Sequence, residues 1–449
     1  MTNETLTLAA FAVGLKYDDI PEAVKQRARD SIADTIATIV FGRDLPWSRI
    51  MVDYARRMGA GGKSRILGDG DAPVTAPFAA LANGALAHAF ELDGATRPSA
   101  GVHPGATILS STLALAQERG FSGKDLLTAF IAGTEVMIRI GRATKHSNET
   151  RGFHAPGTTG PFGAAVACGK LMAFDAERMA NAMGIAGSLS CGLVEFSRAG
   201  NGAMVKRLHF GRAAEGGLLA ANLASAGFTG PNTILEGECG FLNVYCDERD
   251  VSQLTRELGK VWLTSCISMK RFACHTAGHT PVQAIVDFKA NEGLEASQVE
   301  SITIAVGKKE LSRHDIREPQ DVMIGQYSVP FCVALALIGE ANDPRTFRDA
   351  DVADPRIRSL MARIELVPLT LSPPPSPIAS TTTVKTRDGR VLTATVAGFK
   401  GTPENPLSRE ELREKFLMLT RHCDQQKMSD VFERLQAIEG ETSLDWISV

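Results

Sequence analysis

Apolar residues recur at three- and four-residue steps from Pro21 to Phe41, at Val24, Ala28, Ile32, Ile36 and then Ile39 or Val40. That spacing predicts an amphipathic helix, with Pro21 suited to its first turn. Further helical runs are predicted at Val74–Phe90, Ala106–Glu118, Lys124–Gly141, Gly163–Met172, Ala176–Ser188 and Arg212–Ala226, most of them stopped by glycine. Strand patterning is nearly absent before residue 240. A weak repeat follows three Ala/Leu-rich runs: Gly120-Phe-Ser-Gly, Ala173-Phe-Asp-Ala and Gly227-Phe-Thr-Gly. Helical hairpins packed side by side produce such a period, and so does chance reuse of Gly-Phe turns.

Past residue 262 the pattern changes. Val299–Val306 alternates like a half-buried strand, Ile364–Val367 is a second candidate, and Thr381–Phe399 reads as a hairpin around Asp388-Gly389. Between them Tyr327–Ile338 is apolar and of helix length. Asp247–Lys260 reads as a charged helix before this part, and Lys400–Pro406 closes it. The stretch Ser408–Leu444 is charged and helical, and its Leu/Phe face needs a surface to cover it. The expected fold is mainly α. A large all-helical domain takes residues 1–262 and 402–449, and a smaller α+β lid domain takes residues 263–401.

Composition narrows the partners. A chain of 449 residues exceeds what a single core supports, and 44% apolar against 22% charged residues suits a folded globular protein. The net charge of −3, with no basic block, leaves nucleic acid and anionic membrane surfaces nothing to hold. No apolar run reaches the roughly 20 residues of a membrane span, and the first residues lack a signal-peptide pattern, so the expected location is the cytoplasm. Eight cysteines without a C-x-x-C pair suggest reduced, mostly buried thiols.

Candidate chemistry falls in four glycine-rich breaks. The first, residues 86–105, gathers His88, Glu91, Asp93, Arg97 and His103 where a helix must end. In the second, His154 precedes Gly157, Gly160 and Gly163, whose backbone N–H groups can face an anion such as a carboxylate or can simply serve close helix packing. The third is Lys206-Arg-Leu-His, read as an extended segment in which Lys206 and Arg207 point to opposite sides. In the fourth, Lys270 and His275 lead to His279; the His275/His279 spacing suits a metal pair, but Gly278 and Pro281 weaken the helix and no H-E-x-x-H glutamate is present. No nucleophile elbow or cofactor fingerprint accompanies these breaks, which leaves acid/base chemistry on an anion.

At these clusters the chain resembles the MmgE/PrpD family of 2-methylcitrate dehydratases, cis-aconitate decarboxylases and iminodisuccinate epimerases. The matching stretches run in order from the early helix with Asp34, through Ala87-His-Ala-Phe-Glu-Leu-Asp-Gly, His103-Pro-Gly and Gly157-Thr-Thr-Gly-Pro-Phe-Gly. They continue through Lys206-Arg-Leu-His and Glu236-Gly-Glu-Cys-Gly-Phe-Leu to Lys270-Arg-Phe-Ala-Cys-His and Tyr327-Ser-Val-Pro-Phe-Cys. The resemblance implies a helical domain with an α+β lid, a cofactor-independent site between them with no metal, and a homodimer. Two positions depart from the family's H-A-x-D-F-D-D: Glu91 replaces its first aspartate and Gly94 its third acid.

The expected site follows. Lys206 and Lys270 hold substrate carboxylates, helped by N–H groups near Gly157 and Gly160, with His209 beside them. His103 and His154 form the acid/base pair, since a reference pKa near 6.5 suits both protonation states. Asp93 and Glu91 orient or charge His103, His275 closes over the substrate from the lid, and His88 packs behind the site. The expected activity is a lyase on a small di- or tricarboxylate, a hydro-lyase before a decarboxylase. Epimerisation of a dicarboxylate, and non-catalytic carboxylate binding, are the alternatives.

Overall fold

The computed structural model describes residues 3–448, apart from 69, 71, 98, 100, 199–202 and 372. Helices form where apolar spacing and capping agree. Glu22–Gly42 follows Pro21 and buries Val24, Ala28, Ile32, Ile36 and Ile39. Gly123–Ala143 starts on a reciprocal cap between Ser122 and Asp125, and Ala176–Ser188 starts on the Asp175 side chain. The Val205–Ser225 helix packs against both Ala155–Leu171 and Ala76–Ala87, and Gly123–Ala143 also packs on Ala155–Leu171. Small residues permit this closeness: a Cβ on Gly84 would lie 2.9 Å from the Gly211 Cα.

The weak Gly-Phe repeat is a recurring helix stop. Gly120, Ala173 and Gly227 adopt φ of 75°, 54° and 90°. The N–H of the phenylalanine after each donates to a carbonyl five residues back, Phe121 to Ala116, Phe174 to Gly169 and Phe228 to Leu223. This is the Schellman arrangement, which satisfies carbonyls that a helix end leaves free.

The α+β part has one four-stranded sheet. Val299–Val306 pairs in parallel with Ile364–Pro368 and antiparallel with Ser380–Thr386, which pairs in turn with Val391–Val396 across the Asp388-Gly389 turn. The Thr276–Glu292 helix packs on this hairpin, and Val329–Ile338 packs on that helix. The protein is mainly α with a small α+β part. Near the C-terminus, Arg409–Leu419 and Gln425–Leu435 pack on Glu22–Gly42, and among the described residues no helix is long and apolar enough to cross a membrane.

Several elements differ from the pattern-based reading. The helix expected from Gly163 begins at Ala155, and the one expected from Arg212 begins at Val205, so Lys206 and Arg207 lie on a first helical turn rather than an extended segment. Asp247–Lys260 holds only the short turn Val251–Leu254 among its turns. The helices Glu4–Gly14 and Pro46–Met58 and the strand Ala60–Ser64 went unread. Of the eight cysteines, all unpaired, Cys168, Cys246, Cys274 and Cys332 are buried while Cys191 and Cys239 are exposed.

Candidate active site

After Ala76–Ala87 the chain turns through His88 to Pro104 and enters a wide π turn at Gly105–Leu109. A Cβ on Gly105 would overlap the Thr35 hydroxyl, so this turn rests directly on the Glu22–Gly42 helix. The intervening loop is tied down by a two-residue ribbon, Ala95 pairing with Ser268 and Thr96 with Ile267. Asp93 and His103 therefore stand at the two feet of one pinned loop.

Asp93 is fully buried and accepts from two imidazoles: His88 Nδ1 at 2.6 Å and His103 Nδ1 at 2.8 Å. Burial alone would raise its pKa, but the two imidazoles override that and hold it well below the usual carboxylate range. An ionised carboxylate only accepts, so both Nδ1 atoms carry protons and the Nε2 of His103 is its free nitrogen. Burial lowers the His103 pKa from 6.5, with Asp93 opposing. His88, expected to pack passively, does stack on Phe210 at 3.8 Å but also shares Asp93.

Glu91 does not orient His103. Its backbone lies at φ 58°, a conformation that non-glycine residues adopt at a cost, and its carboxylate receives the ammonium groups of Lys206 and, at 2.8 Å, Lys270. The Tyr327 hydroxyl donates to it at 3.3 Å, and His88 Nε2 lies 3.2 Å away without hydrogen-bond geometry. Burial would raise the Glu91 pKa, yet the two lysines hold it well below 4.5. Burial brings Lys206 down to about 8 against the pull of Glu91; burial would lower Lys270 as well, but the Glu91 and Asp93 charges together outweigh it and raise that pKa.

His154 caps the Ala155–Leu171 helix, and its Nδ1 is 2.9 Å from the Nδ1 of His209. Burial, with Lys206 adding to it, pushes His154 well below 6.5 and brings His209 to about 4. His275 starts the Thr276–Glu292 helix, accepts from the Ala277 N–H on Nδ1, and stacks on His314 at 4.3 Å and Tyr327 at 5.1 Å. Gln326 links the two parts of the chain, donating to the carbonyls of Phe90 and Ala273.

A cavity of about 870 Å³ brings together Glu91, His103, His154, Lys206, Lys270 and His275, with Arg97, His314 and Tyr327 also on its wall. Gly157 and Gly160 are not brought to it. The Gly157 N–H donates to the His154 carbonyl at 3.0 Å, and a Cβ there would overlap the Cys191 carbonyl. A Cβ on Gly160 would lie 2.8 Å from that of Ala213. These glycines serve close packing, Gly157 against the Cys191 loop and Gly160 against the Val205–Ser225 helix, which corrects their expected role as anion donors. Tyr327 and His314 went unread as site groups because nothing local marks them; their signal is the stack with His275.

His88, Asp93 and His103 are described residues whose donor atoms lie close enough together, within 4.8 Å, to share a metal ion. Both imidazoles already place Nδ1 on the Asp93 oxygens, so an ion taking those atoms would replace both hydrogen bonds.

An imidazole backed by a buried carboxylate and a pair of lysines on one cavity define a site for proton chemistry on an anion. Residues 6–254 match the MmgE/PrpD N-terminal domain and residues 272–438 the MmgE/PrpD C-terminal domain, so the chain belongs to the MmgE/PrpD family. It is similar to the cis-aconitate decarboxylase of Homo sapiens, 27% identical over 92% of this chain and 86% of that one. It is also similar to a cis-aconitate decarboxylase of Aspergillus terreus, 32% identical over 75% and 72%, and to that of Mus musculus, 27% identical over 92% and 86%. The protein is an enzyme of the lyase class.

Proposed function

We propose that this lyase removes carbon dioxide from a small unsaturated tricarboxylate without a cofactor. The observation that carries the reading is His103, held from behind the wall by buried Asp93, on the same cavity as Lys206 and Lys270. The named activity of the relatives moves the preference from hydro-lyase to decarboxylase.

The chemistry suits those groups. When a carboxylate leaves from a carbon next to a C=C bond, its C–C bond breaks and the electron pair enters the allylic system, conjugated with a retained carboxylate. Lys206 and Lys270 stabilise the negative charge that grows on that carboxylate. His103, protonated on Nε2 and steadied by Asp93, delivers one proton to the far end of the allyl system, and the double bond shifts. Carbon dioxide and a dicarboxylate result, so atoms and charge balance. His154 relays the replacement proton, and residues 263–401 act as a lid bringing His275 over the substrate. A homodimer and a cytoplasmic location belong to the same proposal.

Incubation of the protein with cis-aconitate in deuterated water tests it. The expected product is lighter by carbon dioxide and carries one new deuterium on carbon. Loss of water from a citrate-like acid would restore the hydro-lyase, and deuterium exchange without mass loss would indicate an epimerase. Tight binding with neither outcome would favour a carboxylate-binding protein.

A further inference from the structure

The lysine cluster at Glu91 is, taken alone, short of the substrate's charge. Glu91 takes a contact from both Lys206 and Lys270, so that cluster presents one uncompensated positive charge. Burial drives His154 and His275 toward their neutral forms, and the proton on His103 is given up to carbon in the proposed reaction. A polycarboxylate brings at least two negative charges, so a cation from the rest of the wall, where Arg97, Arg151, Arg198, Lys309 and Arg313 lie, must join that cluster.

Arg151, Arg198, Lys309 and Arg313 are exposed to solvent, whereas Arg97 is half-buried, and it supplies the second centre. Its loop is held on both sides, by the Thr96–Ile267 ribbon pair before it and after it by the Ser99 hydroxyl, which donates to the Ile138 carbonyl at 3.1 Å. Arg97 lines the main cavity and also a smaller, adjoining chamber of about 170 Å³ that it shares with Lys270 and Ala95. The buried guanidinium groups of Arg139 and Arg207 have protein partners: Arg139 donates to the Arg256 and Val261 carbonyls, and Arg207 to that of Ala89. Among the described residues, Arg97 makes no such contact, and Glu149 and Glu310 act on it only through space.

We infer that Arg97 is a second carboxylate subsite, holding a retained carboxylate of the substrate apart from the one at the Lys206–Lys270 pair. The inference rests on the lyase reading above and deepens it. A carboxylate that leaves as carbon dioxide loses its charge, so a cation beside it would favour bound substrate over the transition state. Two separate cationic centres therefore match the two carboxylates that remain. The planar guanidinium fork suits a carboxylate held in a bidentate manner, which lysine does not reproduce.

Titration calorimetry with propane-1,2,3-tricarboxylate tests the subsite, comparing wild type with Arg97→Gln and Arg97→Lys. Circular dichroism melting of each variant establishes that it is folded. Arg97→Gln should weaken binding about tenfold or more, a charge-assisted pair's worth, and Arg97→Lys should recover part of it. Against the same compound with one terminal carboxylate converted to carboxamide, wild type should lose that affinity and Arg97→Gln should change by less than about twofold, because the coupled partner is gone. Equal losses on both compounds, no loss on either, or failure of wild type to bind the tricarboxylate would overturn the subsite. Turnover is read separately, so a wild type that decarboxylates without this coupling retains the function and loses the subsite, whereas coupling without turnover does the reverse.

Discussion

Lys415, on the Arg409–Leu419 helix, places its ammonium 3.3 Å from the carbonyl of Leu92, the residue between Glu91 and Asp93. The same ammonium lies 2.5 Å from Asp34 Oδ1, and all three groups are buried. The late helix thus clamps the turn that carries both acids of the site. Lys415→Met leaves Asp34 and that carbonyl without a cation, and the expected cost is about 3 kcal/mol of stability. Urea unfolding checks it; a loss under about 1 kcal/mol, the range of an exposed pair, would mean the clamp carries no weight.

Asp93 fixes the His103 tautomer, so removing its charge should cost rate rather than binding. Asp93→Asn and His103→Ala are each expected to lower kcat by at least about 100-fold, with KM changing far less. Because the two act as one unit, the double variant should be little worse than either single one. Losses that multiply in steady-state kinetics would separate the pair.

The proposed mechanism needs His103, Lys206 and Lys270 protonated, and Lys270, raised by Glu91 and Asp93, keeps its proton throughout. The Lys206 pKa of about 8 and a His103 pKa below 6.5 make kcat/KM fall as pH rises from mildly acidic conditions through about 8. Lys206→Arg replaces a titrating ammonium with a cation that stays charged, so its profile should lose the step near 8 and keep the lower one. A step that stays near 8 in that variant assigns it elsewhere.

Local pattern reports local structure, and that sets what was legible in the sequence. The Glu22–Gly42 helix, the Asp388-Gly389 hairpin and the Val299–Val306 strand arise from periodicity and turn chemistry within a few residues. The helices beginning at Ala155 and Val205 start earlier than local pattern predicts because Gly157, Gly160 and Gly211 count as breakers locally, while here Gly157 admits the Cys191 carbonyl and Gly160 and Gly211 admit neighbouring helices. The cavity residues His103, His154, Lys206, Lys270 and His275 were legible as chemistry. The contacts of Glu91 were not: its partners lie 115 and 179 residues away, and no short-range spacing encodes that meeting. Gly94 has a local cause visible only in the fold, since a Cβ there would lie 3.0 Å from the Ser268 carbonyl of the ribbon.

The buried histidines should make the fold acid-sensitive. His154 and His275 lie well below 6.5, and His209 and His314 are brought to about 4 by burial. As pH falls past about 6.5 the unfolded chain takes up protons that the folded one refuses, so stability is full above that value and drains between about 6.5 and 4. Glu91 and Asp93, held below their ordinary values, add a loss of the same sign lower down, as pH falls below about 4.5. Thermal melting should show Tm dropping from pH 7 to pH 5; a flat Tm would contradict burial of neutral imidazoles. Acid thus favours the proposed proton donor while weakening the fold around it.

The Gly160 position separates packing from anion binding. A methyl group there would lie 2.8 Å from the Ala213 Cβ and 2.9 Å from Thr107 Cγ2, forcing the Ala155–Leu171 helix away from its neighbours. Gly160→Ala should therefore cost about 1–3 kcal/mol by overpacking. In the fraction that remains folded, KM should stay within about twofold, because a backbone N–H inside a helix makes no contact with substrate. Gly157→Ala meets the Cys191 carbonyl and should be the worse of the two, since a backbone atom yields less than a side chain. A Gly160→Ala enzyme with wild-type melting and a tenfold higher KM would return these glycines to the anion site.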